Sequence, residues 1–177
     1  MATPLEPIIE DHLFADDGHV PNNPRLPLIV YRGALEIGGD VAAGYVALFD
    51  RNGWTDAWTN GVYSQHHYHS SAHEVLGVAA GWVRVKVGGE RGQTVELRAG
   101  DVAVIPAGVA HKNEGASPNL LVVGAYPRGQ RPDMCSSGAT ERVHTLPRIA
   151  AVPLPDGDPV YGPAGPLVER WRAAENC

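Results

Sequence analysis

The stretch GVYSQHHYHSSAHEVLGVAAG, residues 61–81, carries most of what can be predicted for this chain, and it holds four of the eight histidines. Side chains two apart in a β-strand share a face, so His67 and His69 are expected to project together. Glu74 can return on the neighbouring segment after a turn at residues 70–72. Two imidazoles and one carboxylate form a facial set that leaves coordination positions on a metal open. His111, on a later strand, is the candidate fourth ligand.

Other residues of this stretch compete for these roles. His66 has the opposite strand parity to His67 and is expected to face outward or into an interface. His73 is adjacent to Glu74 and could replace it if the turn is one residue shorter. A histidine-rich tract is also common in solvated loops, so the tract alone does not establish a metal site.

The same alternation predicts the residues around the metal. Tyr63 and Gln65 share the parity of His67 and His69, and they could orient a polar substrate or a bound water. The alternative for Tyr63 is that its side chain only fills the interior of the barrel. Trp54 and Trp58 are expected either to pack the preceding helix on the barrel or to line the mouth of the barrel. The expected apolar lining consists of Leu76, Val78, Val102, Val104 and Val123.

Composition favours many short strands over helices. The chain has 21 glycines and 15 prolines among 177 residues, and interior glycine and proline destabilise helices by about 1 and 3 kcal/mol. The net charge of −6 and the lack of basic runs argue against nucleic acid as a partner. No apolar stretch is long enough for a membrane span, and residues 1–10 do not resemble a signal peptide. We therefore expect a cytoplasmic protein whose cysteines, Cys135 and Cys177, are reduced.

The chain divides into three segments around one core. Residues 1–57 are predicted as an extended arm, in which Leu28–Tyr31 could add a strand to a sheet edge, followed by a helix from Asp40 to about Gly53. Residues 58–127 hold the strands of a sandwich or barrel. Residues 128–177 are predicted to wrap the barrel and to end in a short helix over 167–174.

Two motifs resemble those of the cupin superfamily. The pattern G-x5-H-x-H-x(3,4)-E-x6-G fits Gly61 through Gly81, and G-x5-P-x-G-x2-H fits Gly100 through His111. The asparagine that closes the second pattern is absent, because position 115 is Gly115; this leaves the local turn in doubt and not the site. More widely, the chain is similar to small uncharacterised bacterial cupins of a single domain. The resemblance implies an all-β double-stranded β-helix, or jelly-roll barrel, with four metal ligands inside it, His67, His69, Glu74 and His111.

The expected function follows from that ligand set. Three imidazoles and one carboxylate suit Fe(II), Mn(II), Ni(II) and Zn(II) alike. We expect a metal-dependent enzyme acting on a small polar or carboxylate-bearing molecule, with oxidation of the dioxygenase type first and isomerisation or decarboxylation second. The alternative is a non-catalytic barrel that binds or senses a small molecule. Exchange of the N-terminal arm predicts a homodimer.

Overall fold

A computed structural model describes residues 6–177 of the chain. Its strands, in chain order, are β1 Ile8–Phe14, β2 Asn23–Arg32, β3 Trp54–Asn60, β4 His67–Tyr68, β5 Glu74–Ala80, β6 Trp82–Val87, β7 Gln93–Arg98, β8 Val102–Ile105, β9 His111–Ala116, β10 Leu121–Pro127 and β11 Cys135–Ser136. Its helices are α1 Val41–Arg51, α2 Ala139–Ala151 and α3 Pro166–Glu175. No helix within residues 6–177 combines the length and apolarity that a membrane crossing requires.

The strands form two antiparallel sheets that face each other, which is the predicted jelly-roll architecture. One sheet has six strands in the order β1-β2-β8-β5-β10-β3, and the other has five in the order β11-β4-β9-β6-β7. Valines of β6 and β7 meet residues of β5, β8 and β10 between the sheets and make the barrel core. Burial of apolar area of this kind is the main favourable contribution to folding.

A second core lies on the outer face of the six-stranded sheet, where α1 and α3 cover it. Helix α1 begins as predicted, because the side chain of Asp40 accepts a hydrogen bond from the Ala43 N–H (3.0 Å). It packs closely on β5: a Cβ at Gly77 would lie 2.7 Å from the Tyr45 ring. The final helix also follows the prediction, with Leu167 and Trp171 buried on its inner face.

Strand alternation corrects part of the predicted lining. Leu76 and Val78 point between the sheets as expected. Val102, Val104 and Val123 instead belong to the outer core under α1 and α3. Their strands are covered on both faces, so hydrophobicity alone does not distinguish inside from outside.

The N-terminal segment is integrated into the sheet. Within the described part of residues 1–39, β1 and β2 pair with each other, and β2 pairs with β8 through Ile29, Val30 and Tyr31. Leu28–Tyr31 therefore extends the sheet beyond β8, and β1 is the outermost strand.

Two local predictions differ from the structure. The alternation read over 62–70 gives a strand only at His67–Tyr68, and residues 61–66 form an irregular segment at the barrel mouth. Helix α2 was not predicted, since Pro147 lies inside it and suggested a proline-rich tail. Cys135 is buried and Cys177 exposed, and both thiols are free.

Candidate metal centre

The candidate site bridges the two sheets at one end of the barrel. His67 of β4 is paired directly with His111, the first residue of β9, and His69 follows β4. Glu74 opens β5 on the opposite sheet. All four side chains are buried.

Four side-chain atoms converge there. The ligand atoms of His67, His69 and His111 lie within 4.8 Å of one another. Glu74 Oε2 lies 3.2 Å from His69 Nε2 and 3.3 Å from His111 Nε2. The structure thus brings together all four predicted ligands.

Each of the three histidine rings is fixed by the same kind of hydrogen bond, from its Nδ1 to a backbone carbonyl. The Nδ1–H groups of His67, His69 and His111 donate to the backbone carbonyls of Gln65 (3.0 Å), Asp133 (2.5 Å) and Val109 (3.0 Å). A carbonyl only accepts hydrogen bonds, so Nδ1 carries the proton and a neutral ring leaves the Nε2 lone pair facing inward.

Lone pairs and a carboxylate that face one another repel unless a cation lies between them. Burial would lower the pKa of His69, but the Glu74 carboxylate and Asp133 together outweigh burial and raise it above the ordinary value. Burial would conversely raise the pKa of Glu74, and the two neighbouring histidines hold it below its usual range. Burial, together with His111, lowers the pKa of His67 to about 4, so this ring is neutral at pH 7.

The loop segment 130–136 supports one side of the site. The Asp133 carboxylate accepts from the Ser70 N–H (2.6 Å) and from the Ser70 hydroxyl, and the Asp133 N–H donates to Ser71 Oγ (3.0 Å).

The Gly108 N–H donates to the His69 carbonyl (2.8 Å). Gly108 has φ +93°, and a Cβ there would lie 2.4 Å from the Asn22 carbonyl oxygen, which explains the glycine of the second motif.

The two competing histidines are placed elsewhere. His73 Nδ1 accepts from the Ala107 N–H (2.9 Å), and its ring packs on Trp171 at 4.7 Å. Burial lowers the pKa of His73 to about 3, so it is a neutral core residue. His66 Nε2 lies 3.0 Å from Glu90 Oε1, and His66 is not one of the three histidines whose ligand atoms converge.

A cavity of about 460 Å³ opens over the four converging side chains. Tyr63 lines its mouth with its ring 5.4 Å from that of His67, and 65 % of Tyr63 is exposed. Gln65 is exposed and lines a neighbouring cavity with His66 and Cys135. Because residues 61–66 are not a strand, the parity that placed Gln65 beside Tyr63 does not apply.

Tyr126 and Trp58 also line this cavity, and their contact with each other was not predicted from the sequence. Tyr126 of β10 lines it, with its ring 6.2 Å from that of His69. The Trp58 indole N–H donates to the Tyr126 hydroxyl (2.8 Å), and the Trp58 ring lies against Gly124, where a Cβ would be 2.1 Å away. Trp58 therefore lines the mouth, one of its two predicted alternatives. Alternation along β10 from buried Val122 would have pointed to Tyr126.

Fold and site together define a cupin, and the chain belongs to the cupin superfamily. The family model of the cupin domain matches residues 53–123. Over 167 residues the chain is 40 % identical to the uncharacterized protein YjlB of Bacillus subtilis (strain 168), covering 94 % of this chain and 99 % of that relative.

Solved structures resemble the chain more distantly. Acireductone dioxygenase from Bacillus anthracis, with a cadmium ion in its active centre, is 15 % identical, with a TM-score of 0.37 over 52 % of this chain and 63 % of that one. The epimerase RmlC from Legionella pneumophila is 15 % identical, with a TM-score of 0.34 over 68 % of this chain and 72 % of that one.

Proposed function

We propose that this protein is a metal-dependent enzyme that binds one divalent transition metal through His67, His69, His111 and Glu74. The observation that supports the proposal is the shared tautomer of the three histidines, each fixed by a carbonyl on Nδ1 so that Nε2 faces the carboxylate. A buried set of acceptors of this kind suits a cation. Burying acceptors together in this way is costly unless a cation neutralises them.

The donor set fits Fe, Mn, Ni or Zn. Cys135 is not one of the converging donors: its thiol points to Asp133 Oδ2 at 3.4 Å, and burial raises the pKa of the thiol to about 11. A bound ion would supply Lewis-acid activation of a substrate oxygen and, if redox active, electron transfer to or from dioxygen.

The protein's own residues would bind and orient the substrate. Tyr126 offers a phenolic proton, since its oxygen already accepts from Trp58. Leu76 and Val62 line the cavity with apolar surface that excludes water from one side. We propose oxidation of a small polar or carboxylate-bearing molecule by dioxygen as the first reaction class, with isomerisation or decarboxylation second.

Elemental analysis followed by oxygen uptake tests this proposal. The purified protein, loaded anaerobically with iron, should hold one ion per chain and consume oxygen with a member of a carboxylate, thiol or diketone panel. His111→Ala should lose the metal and the uptake, and His66→Ala should keep both. Full metal content in His111→Ala would contradict the site, and metal without uptake would contradict the oxidation.

A non-catalytic barrel that retains metal and binds a small molecule is the second candidate. A scarcity of free acids and bases favours it. Apart from the proposed ligands, the titratable side chains lining the cavity within residues 6–177 are Tyr63, Tyr126 and Asp133. The Asp133 carboxylate is engaged by Ser70. This candidate predicts ligand binding to the loaded protein with no turnover on any panel.

The last part of the proposal concerns the cellular compartment and the oligomeric state of the protein. We propose a cytoplasmic homodimer with a small-molecule ligand and without nucleic acid; the net charge of −6 supports the absence of nucleic acid. Light scattering on the full chain measures the assembly. Deletion of residues 1–30 is unsuitable, because it would remove β1 and most of β2 from one side of the six-stranded sheet.

A further inference from the structure

We propose that the cavity over the metal site takes a molecule with a single oxygen-rich head for the metal and an uncharged, aromatic or apolar body. The proposal rests on the metal binding proposed above and adds the chemical class of the ligand. It follows from the side chains that line the cavity of about 460 Å³.

The walls offer stacking and apolar contact. Three aromatic side chains, Trp58, Tyr63 and Tyr126, surround the approach to the histidines. Leu76 lies deep in the cavity, and Met134 lies at its rim, where 57 % of it is exposed. Aromatic and thioether side chains provide a large contact area for an apolar or aromatic group.

The charges of the walls disfavour a second anionic group. Of residues 6–177, no lysine or arginine lines this cavity. Arg148 reaches Asp133 Oδ2 at 3.5 Å without lining the cavity, and Lys112 pairs with Glu90 at 3.1 Å. Glu74 balances one charge of a divalent ion, and a single anionic head on the ligand would balance the other, because Asp133 is already paired with Arg148. A second carboxylate or a phosphate on the ligand would therefore be partly desolvated without a cationic partner.

The Tyr126 hydroxyl is the hydrogen-bond donor for the oxygen-rich head of the proposed ligand. The Trp58 indole fixes the Tyr126 hydroxyl by donating to its oxygen, and the phenolic hydrogen is directed to the Glu74 carboxylate on the metal side of the cavity. With Glu74 bound to a metal, an oxygen of the head would accept this hydrogen instead. Thr59 and Asn60 add neutral polar groups near the mouth. The site can thus hydrogen-bond one oxygen-bearing head while the remaining contacts stay uncharged.

Matched 2-oxo acids test the proposal, because they present the same chelating head on different bodies. The full-length protein is loaded with Ni(II), its nickel content is measured, and phenylpyruvate, 4-methyl-2-oxopentanoate and 2-oxoglutarate are titrated calorimetrically. Phenylpyruvate and 4-methyl-2-oxopentanoate should bind at least tenfold more tightly than 2-oxoglutarate. Equal or tighter binding of 2-oxoglutarate, or no binding of any probe to nickel-loaded protein, would overturn the proposal.

A charge added to the wall provides the complementary test. Asn60→Lys places a cation at the cavity and should reduce or reverse the preference against 2-oxoglutarate. Ala164→Lys adds the same charge at an exposed position outside the cavity and should leave the preference unchanged. An unaltered preference in Asn60→Lys would count against the charge argument. Failure to retain nickel in the unaltered protein would instead refute the proposed metal site itself, which separates the two failures.

Discussion

Asp133 offers a test of how the protein holds His69 in place. Its carbonyl accepts from His69 Nδ1, and its carboxylate anchors that carbonyl by accepting from the Ser70 N–H (2.6 Å) and the Ser70 hydroxyl. Asp133→Ala keeps the carbonyl but removes the anchor. We therefore expect segment 130–136 to loosen and His69 to lose its fixed orientation.

The size of the effect follows from these contacts. Hydrogen bonds to charged groups contribute about 1.5–3 kcal/mol each. The Asp133 side chain is 28 % exposed, so we take the lower part of that range and expect a total loss of about 2–3 kcal/mol in the free energy of unfolding. For a chain of this size the melting temperature should fall by about 4–12 °C. Loss of support behind a ligating histidine typically weakens metal binding by about 10–100-fold.

Thermal unfolding of the metal-free protein and a competitive zinc titration measure the two effects separately. Asp156→Ala, which removes an exposed carboxylate, is the matched control and should change neither. In Ser70→Ala the loss of stability should be smaller, because only the hydroxyl contact is removed. Wild-type zinc affinity in Asp133→Ala would refute the idea that this segment positions His69.

Three further predictions concern other parts of the structure. Gly124→Ala should displace the Trp58 ring, shift the tryptophan fluorescence and lower the free energy of unfolding by about 1–3 kcal/mol. Gly61→Ala is the control and should be nearly neutral, because a Cβ there would lie 3.9 Å from its nearest neighbour, Leu120 Cδ2. Asp158→Ala should lower the free energy of unfolding by about 3–5 kcal/mol, because the carboxylate accepts from the Tyr31 hydroxyl (2.5 Å) and from three backbone N–H groups. Chemical denaturation measures this loss, and a value below about 1 kcal/mol would contradict the prediction. Metal at 100 times its Kd should stabilise the protein by about 2.7 kcal/mol in thermal unfolding, and a chelator should reverse the gain.

The metal ligands could be predicted from the sequence because their spacing carries the chemistry. His67 and His69 are separated by one residue, and Glu74 follows after a short turn. Asp133 could not be predicted, because its contribution is a backbone carbonyl brought to His69 from 64 residues away. A main-chain group leaves no signal in residue type.

The errors at the level of fold also have physical causes. Segment 61–66 alternates like a strand, but the Asn113 N–H of β9 that donates to the Tyr63 carbonyl (2.7 Å) does not extend into a strand pairing, and only β4 forms. Pro147 lies within α2, yet the helix persists and packs Ile149 against the small core around Tyr68. Tertiary packing overrides local preference in both places.

X-ray absorption spectroscopy at the zinc edge of the loaded protein tests the central claim most directly. We predict scattering from three imidazoles, those of His67, His69 and His111, and from one carboxylate, with Zn–N distances of about 2.0–2.1 Å. In His111→Ala, which is expected to lose the metal, this signal should be absent once unbound zinc has been removed. A sulfur scatterer at about 2.3 Å, or an imidazole signal unchanged by that substitution, would contradict the proposed metal centre.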